Sequence, residues 1–383
     1  MSAVVQPSAA VAAAAELGAA IVAVEAIPVR LPMRRPGVFA SGRIDVAENV
    51  LVRVRSESGL CGQAEAQSRP YTYGGGQESI VAAVRDELGP RLIGHSALRS
   101  ESLYELAALP GADRVARGAL DVALWDLAGL LLGQPTQRLL GGYATEVPVA
   151  HMVSLADPGA MAEEALEAHE RFGVASFKVK VGREPALDVA AVAAVRDALP
   201  DAELYVDANR GWTVEQALVA IPPLVDLGVR AIEEPIDVRD TEGRLRVAAA
   251  SPVPLAGDES CTSLEAVAAA RDEGALGQVS VKAARTGFTE SRRIAAFCTG
   301  SELAVVVGSQ YEGAIGSFAS VALATALAAT SARPAEVTNF ADLATDLVAE
   351  GPRIAGGYAT ASQAPGLGLV VDEDALRHHR VDG

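Results

Sequence analysis

The 383-residue chain carries 49 acidic against 32 basic side chains, a net charge of −17, with half its residues apolar and 21% charged. That field repels polyphosphate and anionic lipid and so excludes nucleic acid and membrane surfaces as partners, while an anionic small molecule remains possible if its site supplies cations. The length predicts one large barrel or two to three domains, and Cys61, Cys261 and Cys298 are too dispersed for a disulfide framework or cysteine metal site, which suits a cytoplasmic protein.

The opening MSAVVQPSAAVAAAAELGAA lacks the basic start of a signal peptide and is too weakly apolar to span a bilayer, so residues 1–18 are expected to be a loose extension or short surface helix. An α+β unit is expected over 19–145. Within it IVAVEAIPVRLP and ENVLVRVRSESGLCGQAEA alternate as antiparallel strands, and ESIVAAVRDELGPRLIG and RVARGALDVALWDLAGLLLG carry helical spacing. Between strands and helices, RPYTYGGG (69–76) sets Tyr71 and Tyr73 before three glycines, as a lid that contacts ligand or an ordinary surface turn would.

Over 146–350 short β-branched runs recur: VPVAHMV (147–153), SFKVKV (176–181), ELYVD (203–207), VRAIEE (229–234), VPLAGD (253–258), QVSVK (278–282), ELAVVVG (302–308) and PAEVTN (334–339). Alanine-rich helical stretches separate them. Eight strands alternating with seven helices predict an α/β fold of (β/α)7β type, a modified (β/α)8 TIM barrel, rather than a doubly wound sheet, since no glycine-rich phosphate turn is present. The tail, 351–383, holds a strand-like GLGLVVDE and is expected to return to the amino-terminal unit.

Barrel enzymes place their chemistry at the carboxyl ends of the strands. Those positions hold Lys178 and Lys180 on the second strand, Asp207 and Asn209 on the third, Glu233 and Glu234 on the fourth, Asp258 and Glu259 on the fifth, and Lys282 on the sixth. One carboxylate from each of three adjacent strands makes the all-oxygen environment that Mg²⁺ or Mn²⁺ prefers, although single acids in such places also serve as helix caps. Alternation alone does not choose within the Glu233/Glu234 and Asp258/Glu259 pairs.

In FKVKVG (177–182) alternation sends both lysines to one face. On its own this fits a wet edge strand; flanked by the acids, it fits an acid/base pair with Lys282 across the barrel mouth. Lys178 is expected to lower the pKa of Lys180 or to hold substrate charge. No histidine lies between residues 170 and 377, so a histidine base on strands three to eight is excluded, and His151 is expected to be a packed residue.

FKVKVG, VDANRGW, IEEP, GDES and VSVKAARTGF, in this order and spacing, resemble the muconate-lactonizing subgroup of the enolase superfamily. The resemblance spans nearly the whole chain and implies an α+β capping domain completed by the tail, a dication held by Asp207, Glu233 and Asp258, and acid/base lysines at Lys180 and Lys282 with Lys178 in support. Glu234 departs from the Gln of many members. RPYTYGGG, KAARTGF and ASGRIDVAENVLVRV are similar to actinobacterial-type muconate cycloisomerases, implying reversible cyclisation of cis,cis-muconate to muconolactone, with Gln310 and Glu312 binding the distal carboxylate or steadying Lys282.

The absence of an acidic DxD at strand eight, where VTNF stands, disfavours dipeptide epimerases. A racemase or epimerase of an N-substituted amino acid or proline derivative, and a carboxylate lyase of the succinylbenzoate synthase type, share the same five positions. A Schiff-base aldolase would leave three carboxylates unexplained, and a non-catalytic barrel need not retain every strand-end group. The resemblance also implies a homo-oligomer.

Overall fold

Alternating apolar residues in the first third of the chain build a three-stranded antiparallel sheet in the order β1 (Ile21–Phe39), β2 (Gly42–Ser56), β3 (Cys61–Gln67). The computed structural model describes residues 18–73, 75–108, 111 and 113–382, so the expected extension over 1–18 lies, but for Gly18, outside the described residues. One face of the sheet, with Val50, Val52, Val54, Ala64 and Ala66, packs on the helix Arg114–Leu132. The other, with Val29, Leu31 and Leu51, packs on Ala314, Ile315 and the 343–348 segment. Asp113 caps the helix by accepting from the Val115 and Ala116 amides, and Gly133 ends it at φ 63°.

Helix and sheet touch backbone to backbone at Gly62. A Cβ there would stand 2.1 Å from the Ala123 carbonyl oxygen and 2.6 Å from the Leu127 nitrogen. Gly62→Ala is therefore expected to destabilise the protein by at least the upper end of the roughly 1–3 kcal/mol typical of overpacking. A thermal midpoint equal to wild type would contradict this close approach.

The second unit joins eight strands by seven helical connections, the last of which carries two helices, Ala314–Ala326 and Ala328–Ser331. The strands are β4 (Glu146–Val153), β5 (Ser176–Lys180), β6 (Glu203–Asp207), β7 (Val229–Glu233), β8 (Leu255–Gly257), β9 (Gln278–Val281), β10 (Ala304–Val307) and β11 (Ala335–Glu336). All pair in parallel, in the order β11-β4-β5-β6-β7-β8-β9-β10. Among the described residues no backbone ladder joins β10 to β11. Side chains stitch that gap instead: the Ser309 amide donates to Glu336 Oε2 at 3.1 Å, and the Ser309 hydroxyl lies 2.6 Å from Asn339 Oδ1. From β6, the Tyr205 hydroxyl also donates to Glu336, through Oε1 at 2.8 Å.

β5 lies between β4 and β6, so the lysine strand is internal, and its outward residues Phe177 and Val179 are fully buried. The tail first forms a hairpin, β12 (Ile354–Ala355) and β13 (Tyr358–Thr360), whose second strand pairs antiparallel with the start of β4. Farther on it reaches the first unit. Gly366 O accepts from Thr136 N, Leu367 N donates to Asp126 Oδ1, and Glu373 pairs with Arg53. No helix among the described residues is long and apolar enough to cross a membrane.

Candidate active site

Parallel register sets the chemistry in rungs. Lys180 is the partner of Asp207, and Asp207 of Glu233, so these three occupy one level at the carboxyl ends of β5, β6 and β7. Lys178 sits two residues earlier, beside Tyr205. Asp258 and Lys282 follow immediately on β8 and β9. Just beyond the strands the chain turns through strained conformations: Asn209 (φ 43°), Arg210 (φ 64°), Glu234 (φ 35°) and Tyr311 (φ 59°) are all left-handed without being glycine. Such residues cluster where surrounding structure over-determines a functional site.

A cleft of about 390 Å³ opens at this end of the barrel. Lys180, Lys282, Asn209, Asp258, Glu259 and Gln310 line it from the barrel, and Phe39, Arg69 and Thr72 from the first unit. The β1–β2 hairpin tip lies over the mouth: the Phe39 ring is 5.9 Å from Lys180 Nζ and stacks on Tyr311. Gly37 lies so close to the Tyr311 ring that a Cβ would come within 2.7 Å of it.

The ammonium groups are tied to the acids. Lys180 Nζ donates to Asp207 Oδ2 at 2.7 Å, Lys282 Nζ to Asp258 Oδ2 at 2.5 Å, and Arg285 holds the other Asp258 oxygen. Lys178 Nζ is 2.9 Å from Glu233 Oε1, 2.8 Å from Glu336 Oε1 and 3.5 Å from Asp207 Oδ2. Behind β5, the buried Asp188 accepts from the Gly182 and Arg183 amides and from the Trp212 indole, fixing the turns after β5 and β6. The first unit fixes the turn after β9. Asp121 of the helix Arg114–Leu132 accepts from the Phe288 and Thr289 amides and the Thr289 hydroxyl, beside Gly287, where the helix Ala283–Gly300 kinks.

The structure separates the paired acids. Glu233 turns inward to Lys178, while Glu234 Oε1 accepts from the Asp258 and Ser260 amides and the Ser260 hydroxyl, shaping the loop that presents Asp258. Since a Gln side-chain oxygen accepts the same bonds, Glu234→Gln is expected to change kcat/KM by less than about threefold, in keeping with neutral substitutions at satisfied acceptors. A tenfold loss in steady-state kinetics would give the Glu234 charge a role of its own.

The electrostatics of these strand ends suit a cation. Burial, with Asp207, Asp258 and Glu336 nearby, pushes Glu233 well above the usual carboxylate range despite Lys178, and Glu233 Oε2 is buried without a partner. Burial and the neighbouring Asp258, Glu234 and Asp207 push Glu259 up to about 7. Burial opposes ionisation of Asp207 and Asp258, but Lys180 and Lys178 hold Asp207 at about 2, and Lys282 and Arg285 hold Asp258 well below the usual range. Among the described residues no three acids, histidines or cysteines already converge as a cage, and one oxygen of each of Glu233, Asp207 and Asp258 accepts from a lysine ammonium. Hard carboxylates at three neighbouring strand ends, one with an orphaned oxygen, nonetheless fit a hard dication.

Lys178 differs from expectation. It is 1% exposed and absent from the cleft wall. Burial works to lower its pKa, but Glu233, Glu336 and Asp207 outweigh this and raise it well above 10.5. With three carboxylates around it, Lys178 is a fixed counter-ion holding the acids in place. The chain contains three lysines, all of them here. Lysine-selective isotope labelling of the metal-free protein should give three side-chain signals, and the one that disappears in Lys178→Met should keep its ammonium shift through pH 10.5. Titration of that signal at or below 10.5 would contradict the assignment.

Of the other expected residues, Gln310 and Asn209 line the cleft. Glu312 does not; its carboxylate accepts from the Ser309 and Ser320 hydroxyls and the Gln310 amide, so it braces the turn after β10. The helix Pro70–Tyr73 borders the cleft through Thr72, and the side chains of Tyr71 and Tyr73 lie outside the described residues. His151 is packed, its Nδ1 2.9 Å from the Thr338 hydroxyl. Sequence reasoning missed Arg285, Glu336, Arg69 and Phe39. Arg285, three residues past Lys282 in KAAR, was open to detection by helical spacing.

Residues 21–141 match the family described as Mandelate racemase / muconate lactonizing enzyme, N-terminal domain, and residues 160–375 match Enolase C-terminal domain-like. The chain is 32% identical to muconate cycloisomerase 1 of Pseudomonas putida over 364 residues, covering 92% of this chain and 96% of the relative. It is 29% identical to an N-succinyl-L-Arg/Lys racemase of Bacillus cereus, covering 93% and 97%. Its fold superposes with TM-score 0.93 on a muconate lactonizing enzyme from Mucobacterium Smegmatis complexed with muconolactone, at 38% identity over 95% of this chain and all of the other.

Proposed function

Because the chain belongs to the enolase superfamily, as an isomerase of its muconate-lactonizing subgroup, we propose that it interconverts cis,cis-muconate and muconolactone. The carrying observation is one cleft with Lys180 and Lys282 on its wall, both beside strand-end acids, in a fold that matches a muconolactone complex at 38% identity. Enolase-superfamily enzymes typically use a divalent metal. Asp207, Glu233 and Asp258 would hold it, as Mg²⁺ or Mn²⁺, and when bound it would neutralise negative charge building up next to a substrate carboxylate.

The chain's own residues then handle protons and orientation. A carboxylate oxygen at one end of the dianion bonds to the carbon γ to it. The electron pair of that double bond moves to the carbon α to the other carboxylate, and this carbon takes a proton from a lysine ammonium. The neutral amine regains its proton from solvent. Phe39 over Lys180 excludes water from that side, and Lys178 keeps the acids aligned. A cytoplasmic homo-oligomer that meets only small carboxylates is part of the same proposal.

The test is loss of conjugated-diene absorbance when full-length protein, Mg²⁺ or Mn²⁺ and cis,cis-muconate are mixed. Unchanged absorbance with both metals would refute the assignment. A second reading, racemisation of an N-acyl amino acid, draws support from the 29% match and from needing the same two lysines. Solvent deuterium entering an N-succinyl amino acid at its α-carbon would favour it. A dipeptide epimerase is disfavoured, since Asn339 stands at the strand-eight end and the acids described in the cleft wall are Asp258 and Glu259.

A further inference from the structure

The first unit docks on the barrel through a buried carboxylate. Glu65 of β3 shares its face of the sheet with Leu51, its partner on β2, and this face lies against Ala314 and Ile315. Its Oε1 accepts from the Asn49 side-chain amide at 2.5 Å and from the Gly313 amide at 2.9 Å, and its Oε2 from the Gly316 amide at 2.9 Å. Asp346, which is partly exposed, accepts from the Ala314 amide through Oδ2 at 2.8 Å and from the Leu347 amide through Oδ1 at 2.6 Å. The two carboxylates converge on one point. A Cβ added to Gly313 would stand 3.1 and 3.2 Å from the Glu65 oxygens and 3.2 Å from Asp346 Oδ2. No cation balances them. The buried Glu312 adds a third carboxylate from the turn after β10, Asn49 and Gln67 are neutral, and the helix Ala314–Ala326 has no charged residue. On the neighbouring elements Arg69 is engaged by the Gln310 and Tyr311 carbonyls, Arg53 by Glu373 and Gln63, and Asp342 lines a separate cavity with His151 and Arg35. Among the described residues no lysine, arginine or histidine forms an ion pair with Glu65 or Asp346.

We infer that Glu65 and Asp346 are a proton-sharing pair that positions the turn after β10: while they hold one proton the first unit stays seated on Gly313, and its loss loosens that turn. Two carboxylates at one point without a cation resist ionising together, so the second proton is held more tightly than either group alone would hold it. Burial, with Asp346 and Glu312 nearby, pushes Glu65 up to about 7, and burial pushes Asp346 up to about 6 against the pull of its amide donors. In the unfolded chain the same groups have their ordinary values of 4.5 and 3.8. A carboxyl raised in this way binds its proton more tightly folded than unfolded, so its stabilisation is complete below about pH 4 and lost as pH rises toward about 7. Asp346, the more exposed member, is the one that swings away when both are ionised, and it releases the Ala314 amide. The turn so loosened carries Gln310 and Tyr311, which line the cleft, and the effect is independent of which reaction the cleft performs.

Thermal midpoints of the full chain in excess Mg²⁺ should be compared between wild type and Asp346→Asn from about pH 5 to about pH 8.5. Wild type is expected to lose about 2 °C or more over that range beyond what Asp346→Asn loses, because the variant keeps an acceptor for the Ala314 amide but has no second charge to repel Glu65. Asp126 and Asp121, which burial pushes up to about 7 and about 6, add to both slopes alike, so the difference isolates the pair. Glu65→Gln should be less stable at every pH, since its amide meets backbone N–H groups, but equally flat. Hydrogen exchange of peptides covering 309–316 gives a second readout that needs no variant: wild type should lose protection above about pH 7 beyond the ordinary base-catalysed rise. Equal pH slopes in wild type and Asp346→Asn would overturn the pair. So would wild-type protection that stays constant through about pH 8.5.

Discussion

Lys282→Ala is expected to lower kcat on cis,cis-muconate by about 10²–10⁴-fold, the range for losing a positioned acid/base group, with Lys180→Ala falling in the same range. Both amines line the cleft, are nearly buried at 5% exposure, and lean on strand-end acids. The lysine that delivers the proton should show the larger kcat loss with KM little changed; its partner, acting on orientation and charge, should show more of its effect in KM. Mg²⁺ affinity by calorimetry should stay within a few-fold of wild type or tighten, because each ammonium competes with a dication for a carboxylate oxygen. A double variant retaining wild-type kcat would refute the lysine chemistry.

Asp258→Asn is expected to have the second largest effect, on metal affinity and stability together. Asp258 pairs with Lys282 through one oxygen and with the fully buried Arg285 through the other. Removing its charge leaves two buried cations short of a partner, which for buried pairs costs roughly 3–5 kcal/mol. A lower thermal midpoint and at least a hundredfold weaker Mg²⁺ binding are therefore predicted. Asp258→Glu should fold better than Asp258→Asn because it retains the charge for Arg285. Wild-type Mg²⁺ affinity in Asp258→Asn would remove this residue from the proposed ligand set.

What could be read in the sequence depended on how local the determining physics was. Strand alternation placed Lys178 and Lys180 on one face, and the repeat of strands and helices gave the eight-stranded parallel order. Alternation names a face and not a depth. Lys178 lies one rung below Lys180, close enough to Glu336 to be neutralised, and so does not reach the cleft. The choice between Glu233 and Glu234 needed the left-handed turn at Glu234, which sends the second carboxylate to backbone amides. Arg69 and Phe39 were hidden because their partners are more than 140 residues away and meet them only after the two units dock.

The confinement of every lysine to the barrel, with Lys180 and Lys282 alone on the cleft wall, has a practical side. The outer surface offers arginine but no lysine to acid anhydrides, activated esters or aldehydes. Inactivation by a lysine-acylating reagent would consequently mark a hit inside the cleft, and protection by a bound dicarboxylate would be a direct footprint of occupancy.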